Sequence, residues 1–214
     1  RPAIAPEYSF IPSGGSSVTV EFRSPRTPDD QMNTIQPFIS ELFSRSLREI
    51  VSSRLRESFL GRDIPVESFD VEYLGSASCA GDERFSVSVR TSRGQLMPAS
   101  MAVASVLSEI CSKGIGAEEY LVARNSVLNG FLRTQTNDAL VLRCVSSYLY
   151  GADLASPATK ANFFSSRNMS TKAETELFNG YTLALLSEME NPKITWTGNE
   201  EDYDEWFWPV LFGS

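Results

Sequence analysis

Short stretches of alternating apolar and polar residues are the first pattern in this chain. Val18, Val20 and Phe22 alternate with polar residues, and the same period recurs at 69–73 and 85–89. Such alternation is typical of half-buried strands. The Gly-, Ser- and Ala-rich residues 75–82 separate the second and third stretches, which favours an antiparallel pair joined by a longer loop. The sequence therefore predicts these three strands and a last short one at 194–196.

Longer stretches repeat their apolar residues with the period of an α-helix. The first helix is predicted to begin after the cap sequence Thr-Pro-Asp-Asp at 27–30 and to end near Gly61, with Pro37 kinking or breaking it. A capping box of Thr171 and Glu174 predicts the start of the last helix. The helices between them are predicted at 101–113, 117–132 and 137–150, with a short one after Pro157.

The order of these elements is strand, helix, two strands, a run of helices and a strand. It predicts an α+β fold: a two-layer sandwich of a mainly antiparallel sheet with the helices packed on one face. Residues 17–198 form this domain, residues 1–16 a leading linker, and residues 199–214 an acidic and then aromatic C-terminal arm. We expect the arm to dock on this domain or on a neighbouring one.

The chain begins at Arg1 without an initiator Met, and we expect it to be a segment of a longer polypeptide. No apolar run approaches the roughly 20 residues that a membrane span needs. The formal net charge of -8 argues against nucleic acid as a partner. These features are typical of an ordinary globular chain.

The 214 residues include no histidine. Within this chain, that excludes Ser-His-Asp and Cys-His catalysis and metal sites built on histidine. The close acidic pairs and the 200–202 cluster are explained by helix capping or solubility. Of the three cysteines, Cys79, Cys111 and Cys144, the last two lie in apolar helical patterns and are expected in the core. The sequence offers no self-contained active site.

One continuous region carries a resemblance to a known family. It contains the strand ERFSVSV at 83–89, a helix ending in VLSEI at 106–110, and the segment KGIGAEEYLVARNSVL at 113–128. This succession resembles a half-repeat of the pitrilysin or insulinase family of zinc metallopeptidases, and the likeness extends loosely over about residues 17–198. The matching residues are structural ones, so the resemblance speaks first to the fold.

Members of that family resemble clamshells assembled from such repeats. One repeat carries a His-x-x-Glu-His motif and a distal Glu for zinc, and a partner repeat without the motif helps to enclose the substrate peptide. The corresponding place here reads ELFSRSL at 41–47. The resemblance therefore implies a non-catalytic half-repeat with no cofactor of its own, which pairs with a zinc-bearing repeat of the same or a partner chain.

The resemblance also suggests substrate-binding residues. Many partner repeats carry an Arg and, seven residues later, a Tyr that binds the peptide. That spacing is not kept here, so the candidates are Tyr73 with Arg54 or Arg56. Alternatively, Tyr73 packs on the sheet, because its phase matches the apolar positions of its strand, and the arginines belong to a solvated helix face.

Two other functions stay open. The domain could be a structural or assembly unit without a role in proteolysis, or an independent hydrolase that uses carboxylates or Cys79. The peptide substrate and the compartment stay open too, although the family resemblance suits a periplasmic or secreted bacterial protein.

Overall fold

One mixed sheet of five strands forms the centre of the fold. A computed structural model describes residues 7–11, 15–133, 136–166, 170–188, 192–199 and 202. The strands are β1 (Glu7–Phe10), β2 (Ser16–Ser24), β3 (Val66–Leu74), β4 (Glu83–Thr91) and β5 (Lys193–Gly198). They lie in the order β1-β5-β2-β4-β3. All neighbouring strands are antiparallel except β1 and β5.

Helices pack against this sheet, two of them in extensive contact with its strands. The helices are α1 (Gln36–Gly61), α2 (Leu96–Lys113), α3 (Ala117–Leu132), α4 (Asn137–Tyr150), α5 (Pro157–Ser166) and α6 (Thr171–Leu183). A π-helical turn, Ala184–Glu188, extends α6. Helix α1 contacts β3, and α2 contacts β2 and β4, while α3 and α6 pack on α1. The predicted α+β class is confirmed.

The core lies between the sheet and the helices, where the alternation in sequence becomes alternation in space. Val18 and Val20 of β2 are fully buried and face Val89 and Val87 of β4 in the antiparallel register. Burying each such side chain contributes about 1.5–3 kcal/mol. The helical side of the core adds an aromatic stack of Tyr120 on Phe178, whose ring centroids are 4.4 Å apart.

One predicted helix start and one predicted helix cap were wrong. Helix α1 begins at Gln36, so Pro37 lies in its first turn and does not kink it. A proline there removes no helical hydrogen bond, because the first N–H groups of a helix have no partner within it. Helix α6 is capped by Ser170, whose Oγ accepts a hydrogen bond from the N–H of Ala173.

Three further expectations differ from the structure. Strand β1 lies within the stretch assigned to a linker, where its four residues are too few to show a clear period. Cys144 is exposed, whereas Cys111 is half-buried against the core. Asp202, expected in a solvated acidic cluster, is 3% exposed and accepts hydrogen bonds from the Ser16 hydroxyl and the Gly94 N–H. Residues 200–201 and 203–214 of the predicted arm lie outside the described residues.

Candidate functional site

A polar cleft lies where α1 meets the β3–β4 loop and the start of α5. Helix α1 contributes Glu41, Arg45 and Arg48, whose spacing of four and three residues places them on one helix face. The remaining lining is contributed by Met32, Pro37, Phe38, Tyr73, Gly75, Ser76, Ala77, Ser78, Glu83, Ala152, Asp153 and Lys160. The cleft volume of about 140 Å³ is similar to that of a cavity that accepts a benzene-sized group. It can hold one side chain or a terminal carboxylate, but not a whole peptide.

Ion pairs organise the charged wall of this cleft. The Glu41 carboxylate forms an ion pair with Arg45 at 2.9 Å and accepts a hydrogen bond from Lys160 at 2.9 Å. Lys160 also lies 3.2 Å from Asp153 and 4.4 Å from the centre of the Phe38 ring. These contacts hold Lys160, whose side chain is 15% exposed, between two carboxylates.

The two arginines are the more accessible cations of the cleft. The Arg45 and Arg48 side chains are 44% and 41% exposed. Arg48 makes an ion pair of 2.9 Å with Glu49, the next residue along the helix. Guanidinium groups are donors only, so these two side chains can bind a carboxylate or a peptide carbonyl that enters the cleft.

The inner wall of the cleft is a hydrogen-bond network around Glu83, which is 8% exposed. Its carboxylate accepts a hydrogen bond of 2.7 Å from the Tyr73 hydroxyl and one of 3.2 Å from the Thr27 hydroxyl. It also accepts hydrogen bonds from the N–H and the hydroxyl of Ser76. The network fixes the Tyr73 ring at the cleft and satisfies a buried charge.

Burial raises the pKa of Tyr73 far above its usual value, and nearby Tyr181 and Glu83 raise it further. Tyr73 is therefore a neutral phenol near pH 7. It can accept a hydrogen bond from a ligand while donating to Glu83, but it cannot act as a general base. Burial likewise raises the pKa of the neighbouring Tyr181 to about 12.

The structure separates the residues that the resemblance suggested. Tyr73 lines the cleft. Arg54 lies on the side of α1 that faces α3, where it forms a bidentate ion pair with Glu119. Its Nε and Nη2 atoms lie 2.8 and 2.7 Å from the two carboxylate oxygens. Arg56 lies over the Phe69 ring, 5.8 Å from its centre. Neither is among the cleft-lining residues, and their predicted role in substrate binding stays a prediction.

The sequence did not predict that Arg45 and Arg48 lie near Tyr73. The spacing of Glu41, Arg45 and Arg48 did indicate that these three residues share a face of α1. Nothing local showed that this face meets the β3–β4 loop and Lys160, because those contacts join residues far apart in the chain.

The donor atoms of the cleft do not suit zinc. Zinc sites in proteins are built mainly from His, Cys and carboxylate ligands, and the α1 segment 41–47 supplies one carboxylate and an arginine. Across the part of the chain that the structure describes, no group of three or more His, Cys, Asp or Glu side chains could hold a metal ion. Within the same residues, no helix is both long and apolar enough to cross a membrane.

Solved structures share this fold. The first half of the periplasmic protease PqqL from Escherichia coli matches with a TM-score of 0.72 and 15% identity, over 97% of this chain and 46% of that one. The peptidase M16 inactive domain from Pseudomonas fluorescens gives 0.66 and 11%, over 92% and 44%. Complex III2 from Candida albicans, bound to Inz-5, gives 0.57 and 9%, over 98% and 49%.

These likenesses confirm the predicted resemblance at the level of the fold: the chain folds like part of an M16 or insulinase-type peptidase. The chain spans about half the length of the solved structures just described. No protein-family model matches the sequence, and no curated protein matches it.

Proposed function

We propose that this chain is the non-catalytic half-repeat of a larger pitrilysin-like zinc peptidase and forms one wall of its peptide-binding chamber. One observation carries the proposal. The α1 segment that holds the zinc motif in a catalytic repeat here carries Glu41 and Arg45, and these residues line a polar cleft. The fold shared with an M16 inactive domain supports it.

In this role the cleft binds part of the substrate and takes no part in bond cleavage. Arg45 and Arg48 hydrogen-bond a carboxylate or carbonyl oxygen of the peptide, and the Tyr73 hydroxyl provides a neutral contact beside them. Orientation of a bound substrate lowers the barrier of a reaction that occurs elsewhere. A domain without catalytic residues can thus be required for turnover.

The zinc and the groups that activate water belong to another repeat in this proposal. That repeat lies in the same polypeptide or in a partner chain. The parent protein is periplasmic or secreted, a proposal supported by the likeness to PqqL, which is described as a periplasmic protease.

A structural or assembly role is the second candidate. A likeness in fold to Complex III2 from Candida albicans, which is named as a complex and not as a peptidase, supports it. In that case the polar cleft would bind no peptide, and substitutions in it would leave peptide hydrolysis by the parent protein unchanged.

Kinetics of the parent protein on an internally quenched peptide distinguish the two roles. We expect Arg48→Gln to raise KM by about tenfold, the equivalent of one hydrogen bond to a charged group, with little change in kcat. Arg62→Gln is the matched control, because Arg62 lies at the end of α1 and outside the cleft. Unchanged KM for both Arg48→Gln and Arg45→Gln would contradict the peptide-binding role.

A further inference from the structure

Helix α4 has its apolar side on the outside of the domain. None of its fourteen residues is buried. The half-buried positions are Ala139, Arg143, Ser146, Ser147 and Tyr150, which are mostly small or polar. A helix at the surface of an isolated domain has the opposite arrangement, with an apolar stripe toward the core and a polar side toward water.

The outer side of α4 is a continuous apolar groove. Its lining consists of Leu140, Val141, Cys144, Val145, Tyr148 and Leu149. Val141, Cys144, Val145 and Tyr148 follow the spacing i, i+3, i+4, i+7 and so form one stripe. Tyr148 is 89% exposed and Val141 59%. Exposed apolar patches of this kind mark sites of protein contact.

We propose that this groove is the contact surface for the neighbouring repeat of the parent chain, which places an apolar helix against α4. The proposal rests on the proposed function, because it locates the surface by which this half-repeat joins the rest of the peptidase. A 14-residue helix is about 21 Å long, a length that suits helix-on-helix packing.

The extent of the groove favours a neighbour in the same chain over a second copy of this one. Stable association of separate proteins buries about 800 Å² on each partner, whereas the groove is confined to six side chains of one helix. A covalent link raises the effective concentration to the millimolar range, so a small apolar contact suffices. The lengths of the solved structures also favour a neighbour in the same chain, because about half of each solved chain lies outside the region that this chain matches.

Cys144 provides a natural probe, since its thiol lines the groove and is exposed. The experiment measures maleimide labelling of each cysteine by peptide mass spectrometry, in this 214-residue chain and in the parent protein. Occlusion by the neighbouring repeat should slow labelling of Cys144 in the parent at least about tenfold, with local opening setting the residual rate. Labelling of Cys111, which is half-buried on α2 and lies outside both the cleft and the groove, should change less than about twofold.

Substitutions on the groove then test whether contact with it causes the protection. Val141→Asp and Tyr148→Asp place a charge on the stripe without touching the core of this domain, and we expect either to restore labelling of Cys144 in the parent. Val122→Asp is the matched control, because Val122 is 74% exposed on α3 and lies outside the groove. It should leave the protection intact.

Several results would overturn the proposal. One is equal labelling of Cys144 in both proteins. Another is protection of Cys144 in the 214-residue chain by itself. If that protection depends on protein concentration, a second copy covers the groove. If it does not, residues 203–214 of the same chain cover it. The proposed function fails separately: protection of Cys144 in a parent without a zinc-bearing repeat would support the interdomain contact and refute the peptidase role.

Discussion

The hydrogen bond between Tyr73 and Glu83 decides whether the tyrosine is a fixed part of the cleft. The two oxygens are 2.7 Å apart, and Glu83 is 8% exposed. A hydrogen bond to a charged group contributes about 1.5–3 kcal/mol. We therefore expect Tyr73→Phe to lower the free energy of unfolding by about 2 kcal/mol, as measured by urea denaturation at pH 7.

A double-mutant cycle isolates this bond from the other contacts of Glu83. Glu83→Gln should cost about 3 kcal/mol, because an amide N–H₂ replaces one of two acceptor oxygens, Oε2 for Tyr73 or Oε1 for Ser76 and Thr27. The double variant should be less destabilised than the sum of the single variants by about 1–2 kcal/mol.

Tyr148→Phe is the control for loss of a phenol hydroxyl. Tyr148 is 89% exposed, so the free energy of unfolding should change by less than about 0.5 kcal/mol. A coupling energy below about 0.5 kcal/mol between Tyr73 and Glu83 would refute the reasoning. Tyr73 would then be free to reorient toward a ligand.

Two further outcomes are expected. Burial raises the pKa of Tyr181 from its ordinary value of 10.0 to about 12 in the folded chain. The contribution of Tyr181 to stability is therefore complete below about pH 10 and is lost as the pH rises toward 12. Tyr181→Phe should reduce the loss of unfolding free energy between pH 9 and pH 11 by about 1 kcal/mol; an unchanged loss in urea titrations at both pH values would contradict this. Glu174 accepts hydrogen bonds of 2.8 Å from Tyr120 and 2.7 Å from Arg124, so Glu174→Gln should lower the unfolding free energy by about 2 kcal/mol. Glu109→Gln, which removes the exposed ion pair with Lys113, should leave the unfolding free energy nearly unchanged. Equal losses of unfolding free energy in the Glu174→Gln and Glu109→Gln variants would contradict this difference.

Strands β2 to β5 were predictable because alternation is a local property of the chain, whereas the four residues of β1 are too few to show it. Val18, Val20 and Phe22 show it within five residues, and the structure buries all three. The start of α1 was predicted too early because the cap sequence at 27–30 forms only a short 3₁₀ turn, Asp29–Gln31.

The cleft was not predictable, because its parts meet through contacts between distant residues. Lys160 and Glu41 are 119 positions apart in sequence, and no periodicity reports such a contact. The burial of Asp202 has the same origin, since its partner Ser16 is 186 positions away.

Helix α4 shows another limit of periodicity. Its period was predicted correctly, but a period does not show whether the apolar side faces the same domain or another one. Cys144 was therefore expected in the core and is exposed on the surface.

The most direct test of the central claim compares metal content and peptide hydrolysis for the parent protein and for this 214-residue chain. The parent should hold about one zinc ion per catalytic repeat, hydrolyse an internally quenched peptide, and lose that activity to a chelator. The 214-residue chain should hold no stoichiometric zinc and hydrolyse no peptide. Chelator-resistant hydrolysis by this chain, or tightly held zinc in it, would contradict the account.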